Sequence, residues 1–189
     1  MIRIFSLAQI STVLLIGSAA TAVAQQPAPP PVPASPMSTL VSDAVAAYKR
    51  SKAYIVGAAE YMPAENFSFK PTPEIRSYAE LFTHVAQAQT NNCAAIGGVA
   101  AEPKPESTAT GKDEVIAVLK KSFDACDAAY ASVTDANALE VAGTGSLHAS
   151  RLRNMERNIA HNNEMYGQMV VYLRLKGIVP PSTAMRGRM

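Results

Sequence analysis

Residues 77–98 read SYAELFTHVAQAQTNNCAAIGG. Ser77 followed three positions later by Glu80 is a capping-box pattern, in which hydroxyl and carboxylate each take a backbone N–H that a first helical turn leaves unpaired. Tyr78, Leu81, Val85, Ala88 and Ile96 then recur at helical spacing, and Gly97-Gly98 ends the run with residues suited to a left-handed cap. The stretch predicts a helix that carries His84 and Cys93.

Three more segments of the same kind surround it. One, about Ser38 to Met62, sets Leu40, Val41, Ala44, Ala47, Tyr48, Ile55, Ala58 and Met62 along one stripe and stops at Pro63. Another begins near Thr110 to Asp113 and repeats Val115, Leu119, Ser122, Cys126, Tyr130 and Val133. The longest, about Ser146 to Lys176, carries Leu152, Met155, Ile159, Tyr166, Met169, Val170 and Leu173, with Gly177 as a cap and Pro180-Pro181 preventing continuation. Strand-like alternation is absent, so the expectation is an all-α four-helix bundle.

The two cysteines select a topology. Cys93 and Cys126 read as a disulfide in an oxidising compartment, or as two small buried apolar side chains. Counted from their helix starts they lie at similar depths, so at ~1.5 Å per residue they share a level only if the second and third helices run parallel. Antiparallel neighbours would offset them by ~15 Å, against the ~6 Å between α-carbons that a bridge tolerates. A bridge therefore predicts an up-down-down-up order, with the Gly98 to Gly111 connection, stiffened by Pro103 and Pro105, spanning the bundle.

The first 24 residues have a secretory character. Arg3 is followed by a mostly apolar run from Ile4 to Ala20 with no acidic residue, and Ala22-Val23-Ala24 is a small-x-small cleavage pattern. No cysteine stands at that point to take a lipid anchor. Of 189 residues, 165 follow residue 24; without Arg3, the 17 basic and 15 acidic side chains become 16 and 15. That near-neutral balance, with no basic cluster, gives no electrostatic footprint for nucleic acid, and no second apolar run has the length of a membrane span. Gln25 to Pro36 is rich in proline and reads as an extended spacer. A periplasmic or secreted protein is expected, and neither a small-molecule ligand nor a homodimer is excluded.

Chemistry falls to the histidines. His148, near the start of the fourth segment, reads as a structural or surface residue, the commoner role of a lone histidine. His161 belongs to a semi-polar seam of Asn158, His161, Met165, Gln168 and Tyr172 at spacings of three and four. Histidines from two helices of a bundle are a common way to hold a divalent ion, but counting helical rise leaves the relative heights of His84 and His161 open by ~10 Å.

The run from His161 to Gln168, the run from Val171 to Ser182, and Tyr78 to Ala86 with its His84 together resemble the exported branch of the DinB-like superfamily. The resemblance spans Ser38 to Ser182, which divides the chain into a signal segment (1–24), a proline-rich spacer (25–37), a DinB-like bundle (38–182) and a tail (183–189). It implies an up-down-down-up bundle and a divalent metal site of three histidines. One is matched by His84 and one by His161; the third position, in a His-x-x-x-His pair on the last helix, holds Met165. A thioether is a poor substitute for imidazole on Zn²⁺ or Ni²⁺ and suits Cu(I). Glu164 or a water is the other candidate to complete the shell, although Glu164 points about 100° away from Met165 around the helix.

Two functions follow. Superfamily relatives include metal-dependent thiol transferases and isomerases, which implies an enzyme using His84 and His161 as ligands. Against that stand the missing third histidine and the lack of a recognisable nucleophile beside a base. The favoured expectation is a binding or structural module, stapled by Cys93 and Cys126, that retains a degenerate site of His84, His161 and Met165.

Overall fold

The computed structural model describes residues 39–99 and 106–186. The signal segment, the spacer, and Pro103 and Pro105 of the long connection lie outside the described residues.

Four long helices, α1 (Leu40–Tyr61), α2 (Tyr78–Gly97), α3 (Lys112–Ala131) and α4 (Arg151–Leu175), form an all-α bundle. Local chemistry sets most of their ends. Thr39 caps α1 through a reciprocal pair of hydrogen bonds with Ser42, and Ser77 and Glu80 form the expected capping box on α2. Gly98 closes α2 at φ 75°, a left-handed conformation that costs glycine nothing.

Contacts between facing helices give the direction of each. On α2 and α3, Gln89 meets Ser122 at 3.5 Å and Cys93 meets Cys126. Both partners advance together, so α2 and α3 are parallel. On α2 and α4, Ile96 faces Arg151 and Asn92 faces Asn158, which makes them antiparallel. Tyr48 bonds Asp127 while the carbonyl of Met62 accepts from Lys112, so α1 and α3 are antiparallel. Ser51 with Asn162 and Tyr54 with Tyr166 set α1 parallel to α4. The order is up-down-down-up.

Cys93 and Cys126 sit at disulfide distance in the core, with α-carbons 5.0 Å apart. A buried disulfide is compatible with an extracellular location. Among the described residues no helix is long and apolar enough to cross a membrane.

Aromatic side chains fill the interior around this link. Tyr48 stacks on Tyr130 with centroids 4.0 Å apart, and Tyr78 packs edge-on against Phe67 and Phe82 while donating to the carbonyl of Ala58. Burial, reinforced by the Asp127 carboxylate that accepts its hydrogen bond, pushes the Tyr48 phenol well above the ordinary tyrosine range.

Two local features differ from the sequence expectation. The fourth helix starts at Arg151, capped by the Ser150 hydroxyl, and not at Ser146. The residues before it form a short antiparallel ribbon, β1 (Val141–Ala142) with β2 (Ala149–Ser150), joined through a 3-10 turn at Gly145–Leu147. Gly143, at φ 82°, makes the reversal that diverts this stretch from a helical path. Beyond α4, Pro181 starts a further short helix, α5 (Pro181–Arg186); proline has no N–H to lose at a first helical position.

The cross-link closes a separation of 33 residues, so replacing both Cys93 and Cys126 by alanine should lower unfolding stability by about 3–4 kcal/mol. Urea denaturation of the two proteins measures it, and an unchanged midpoint would contradict the structural role given to the pair.

Candidate functional site

The antiparallel pairing of α2 and α4 decides where the histidines meet. From the Asn92–Asn158 contact, eight residues back along α2 and three forward along α4, His84 lies opposite His161. Tyr172, further along α4, donates to the carbonyl of Arg76 at 2.5 Å and fastens the entry to α2. The two imidazole rings lie with centroids 5.2 Å apart and planes at 54°, and their Nε2 atoms face each other at 3.4 Å. The height difference left open by helical rise is thereby closed.

Two residues outside the sequence expectation complete the surroundings. Glu106, on the connection into α3, places a carboxylate oxygen 2.6 Å from His84 Nδ1. Arg76, just ahead of the α2 cap, approaches the same nitrogen at 3.4 Å and the Glu106 carboxylate at 3.8 Å. Neither residue belongs to a periodic pattern. An acidic residue in a proline-flanked connection and a basic residue before a cap look like ordinary solvated charges until the fold brings them together.

Tautomers follow from these partners. An ionised carboxylate only accepts, so His84 carries its proton on Nδ1 and, as a neutral ring, turns a lone pair outward from Nε2. His161 is then the donor across the 3.4 Å contact, and its own Nδ1 is buried with no hydrogen-bond partner. Holding an ion between the rings would require the His161 proton to sit on Nδ1, which lacks a partner in either tautomer.

Met165 stands one turn beyond His161 on α4, 2% exposed, with its sulfur 3.8 Å from the Gln168 side-chain nitrogen. Of the seam, Asn158, Met165 and Tyr172 are buried, His161 is half-buried and Gln168 is exposed. Glu164 is exposed as well. Among the described residues no group of three His, Cys, Asp or Glu side chains converges as a metal site. The separation of the two Nε2 atoms is close to the spacing of about 3.3 Å between nitrogen ligands at ~2.0–2.1 Å in a tetrahedral shell. His148 lies apart from this cluster, exposed beside the ribbon and 3.4 Å from the Gly143 carbonyl.

No family model and no curated protein matches the sequence. Among solved structures the chain is similar to a DinB-like protein from Bacillus cereus ATCC 10987, with a TM-score of 0.62. The likeness covers 73% of this chain and 93% of that chain, at 17% identity. The fold is DinB-like. At that identity the likeness speaks for the DinB-like architecture and its helix order, while the chemistry of the site rests on the residues themselves.

Burial first, then the neighbouring His84 and Arg76, hold His161 below the ordinary imidazole value of 6.5, against a raising influence from Glu164. The unfolded chain therefore takes up this proton before the folded one does. As pH falls below about 6.5 the group lowers stability, until pH passes the folded value; above 6.5 it has no effect. Ring NMR should show His161 titrating below 6.5, and denaturation between pH 8 and 5 should give a shallower loss of stability in His161→Gln than in the parent.

Proposed function

We propose that this chain is an exported, disulfide-stapled DinB-like bundle that acts as a binding module, taking a soft metal ion between His84 and His161. The observation that carries the reading is the approach of the two Nε2 atoms to 3.4 Å from different helices. Rigid supports favour it: the histidines sit inside long helices tied to one another by buried side chains, so little ordering remains to be done when a ligand arrives. Depression of the His161 pKa keeps its ring neutral, the form a metal requires.

The third donor is Met165, and its thioether steers the choice of ion. Sulfur and two imidazoles suit Cu(I), whereas a third imidazole would be needed for firm Zn²⁺ or Ni²⁺ binding. A periplasmic or secreted location belongs to the same reading, supported by the signal character of residues 1–24 and by the buried disulfide.

One observation favours a second reading, a metal-dependent enzyme of the thiol-transferase kind that uses the same two histidines. A carboxylate on the far nitrogen of a ligating imidazole, as Glu106 is on His84, is the usual support of catalytic as well as structural metal sites. A bound ion would supply Lewis acidity there.

Metal analysis and Cu(I) competition on the purified protein separate these. About one Cu(I) per chain is expected in the parent, with weak Zn²⁺ and Ni²⁺ uptake; His84→Ala and His161→Ala should each lose copper, and Met165→His should gain Zn²⁺ or Ni²⁺ affinity by at least tenfold. Copper binding that survives in the histidine variants would refute the assignment. Stoichiometric Zn²⁺ or Ni²⁺ in the parent would favour the enzyme.

A further inference from the structure

His84 Nδ1 has two competing neighbours that demand opposite tautomers. The Glu106 carboxylate, at 2.6 Å, can only accept and so requires a proton on Nδ1. The Arg76 guanidinium, at 3.4 Å, can only donate and would require Nδ1 to be bare, with the proton on Nε2. These two states are not equivalent for the site. In the first, Nε2 offers a lone pair to the space it shares with His161; in the second, a proton stands there.

From this geometry we infer that Glu106 is a positioning residue: its carboxylate overrules Arg76 and holds His84 in the tautomer whose Nε2 can bind. Distances decide the competition. The Glu106 contact has the length of a charge-assisted hydrogen bond, while the Arg76 contact lies beyond the usual range for N–H donors. Arg76 also approaches Glu106 itself at 3.8 Å, which helps to hold the carboxylate beside the ring. The selectivity of the site for a ligand over a proton thus resides in the connection between α2 and α3, outside the two helices that carry the histidines.

The consequence for metal binding rests on the proposed function; the tautomer itself does not, and it can be measured on metal-free protein. Two-bond ¹H–¹⁵N correlation spectra of histidine-labelled protein distinguish protonated from bare ring nitrogens at a pH where the rings are neutral. The parent should show His84 protonated on Nδ1. Glu106→Ala should shift His84 to the Nε2-protonated form, and Glu106→Gln, whose amide oxygen still accepts, should keep the parent form. Arg76→Ala should keep it as well.

Glu106 is part-exposed on a connection, so its truncation should leave the bundle intact, which unchanged His148 ring signals and backbone amide spectra would verify. In Cu(I) competition, Glu106→Ala should weaken binding about 10- to 100-fold. A parent His84 protonated on Nε2, or a Glu106→Ala ring still protonated on Nδ1, overturns the inference. Equal copper affinity in parent and Glu106→Ala also overturns it. A parent that binds no copper refutes the binding function alone, and the tautomer spectra still decide the role of Glu106.

Discussion

The parallel alignment of α2 and α3, fixed at Cys93–Cys126, is the constraint from which the rest of the arrangement follows. Neighbouring helices joined by short loops normally run antiparallel, because the chain turns back where it ends. Here the chain must return past the whole length of α2 before α3 can start. The return brings Glu106 to the level of His84. It also leaves α4 to pack antiparallel against α2, the relation that sets His161 across from His84. Cross-link, connection and histidine pair are parts of one topological solution.

A polar interior accompanies that solution. Asn154, Asn158 and Asn162 recur every four residues on α4 and are fully buried. Asn158 reaches Asn92 and the Tyr130 hydroxyl, Asn162 reaches Ser51, and Gln89 reaches Ser122, so side chains of all four long helices take part. Several of these bonds are long, and Gln89 Oε1 and Asn162 Oδ1 are buried without a partner. Each such atom costs on the order of 1–3 kcal/mol relative to a satisfied one. What the seam offers in return is a set of directional contacts that ties α4 to each of the other three long helices. Tight registration matters at the histidines, because a one-turn shift of about 5 Å would separate the two Nε2 atoms altogether.

Much of the fold could be read from the chain because it is encoded locally. The Ser77–Glu80 box, the Gly98 cap and the apolar stripes each depend on residues within a turn or two of one another, and the helices they predict are present. Helix order needed one long-range fact, which the cysteine positions supplied. The ribbon ahead of α4 was missed because two-residue strands have no periodicity to detect, and glycine conformation rather than side-chain pattern makes the reversal there. At the site, His84, His161 and Met165 were visible through spacing and resemblance. Glu106 and Arg76 were not, since their meaning comes from contacts across 22 and 8 residues that no local signal records. Asn154 and Asn162 carried no sign of burial either, for asparagine at helical spacing reads equally well as a solvated face.

Two imidazoles carried by helices far apart in sequence bring their Nε2 atoms face to face at 3.4 Å, and the proposed binding depends on that approach. Crystals of the protein grown with Cu(I), examined by anomalous scattering at the copper edge, address that point directly. One difference peak between His84 Nε2 and His161 Nε2, with the Met165 sulfur beside it, is the predicted result. Copper seated elsewhere on the chain, or histidine rings turned away from each other into solvent, would contradict it.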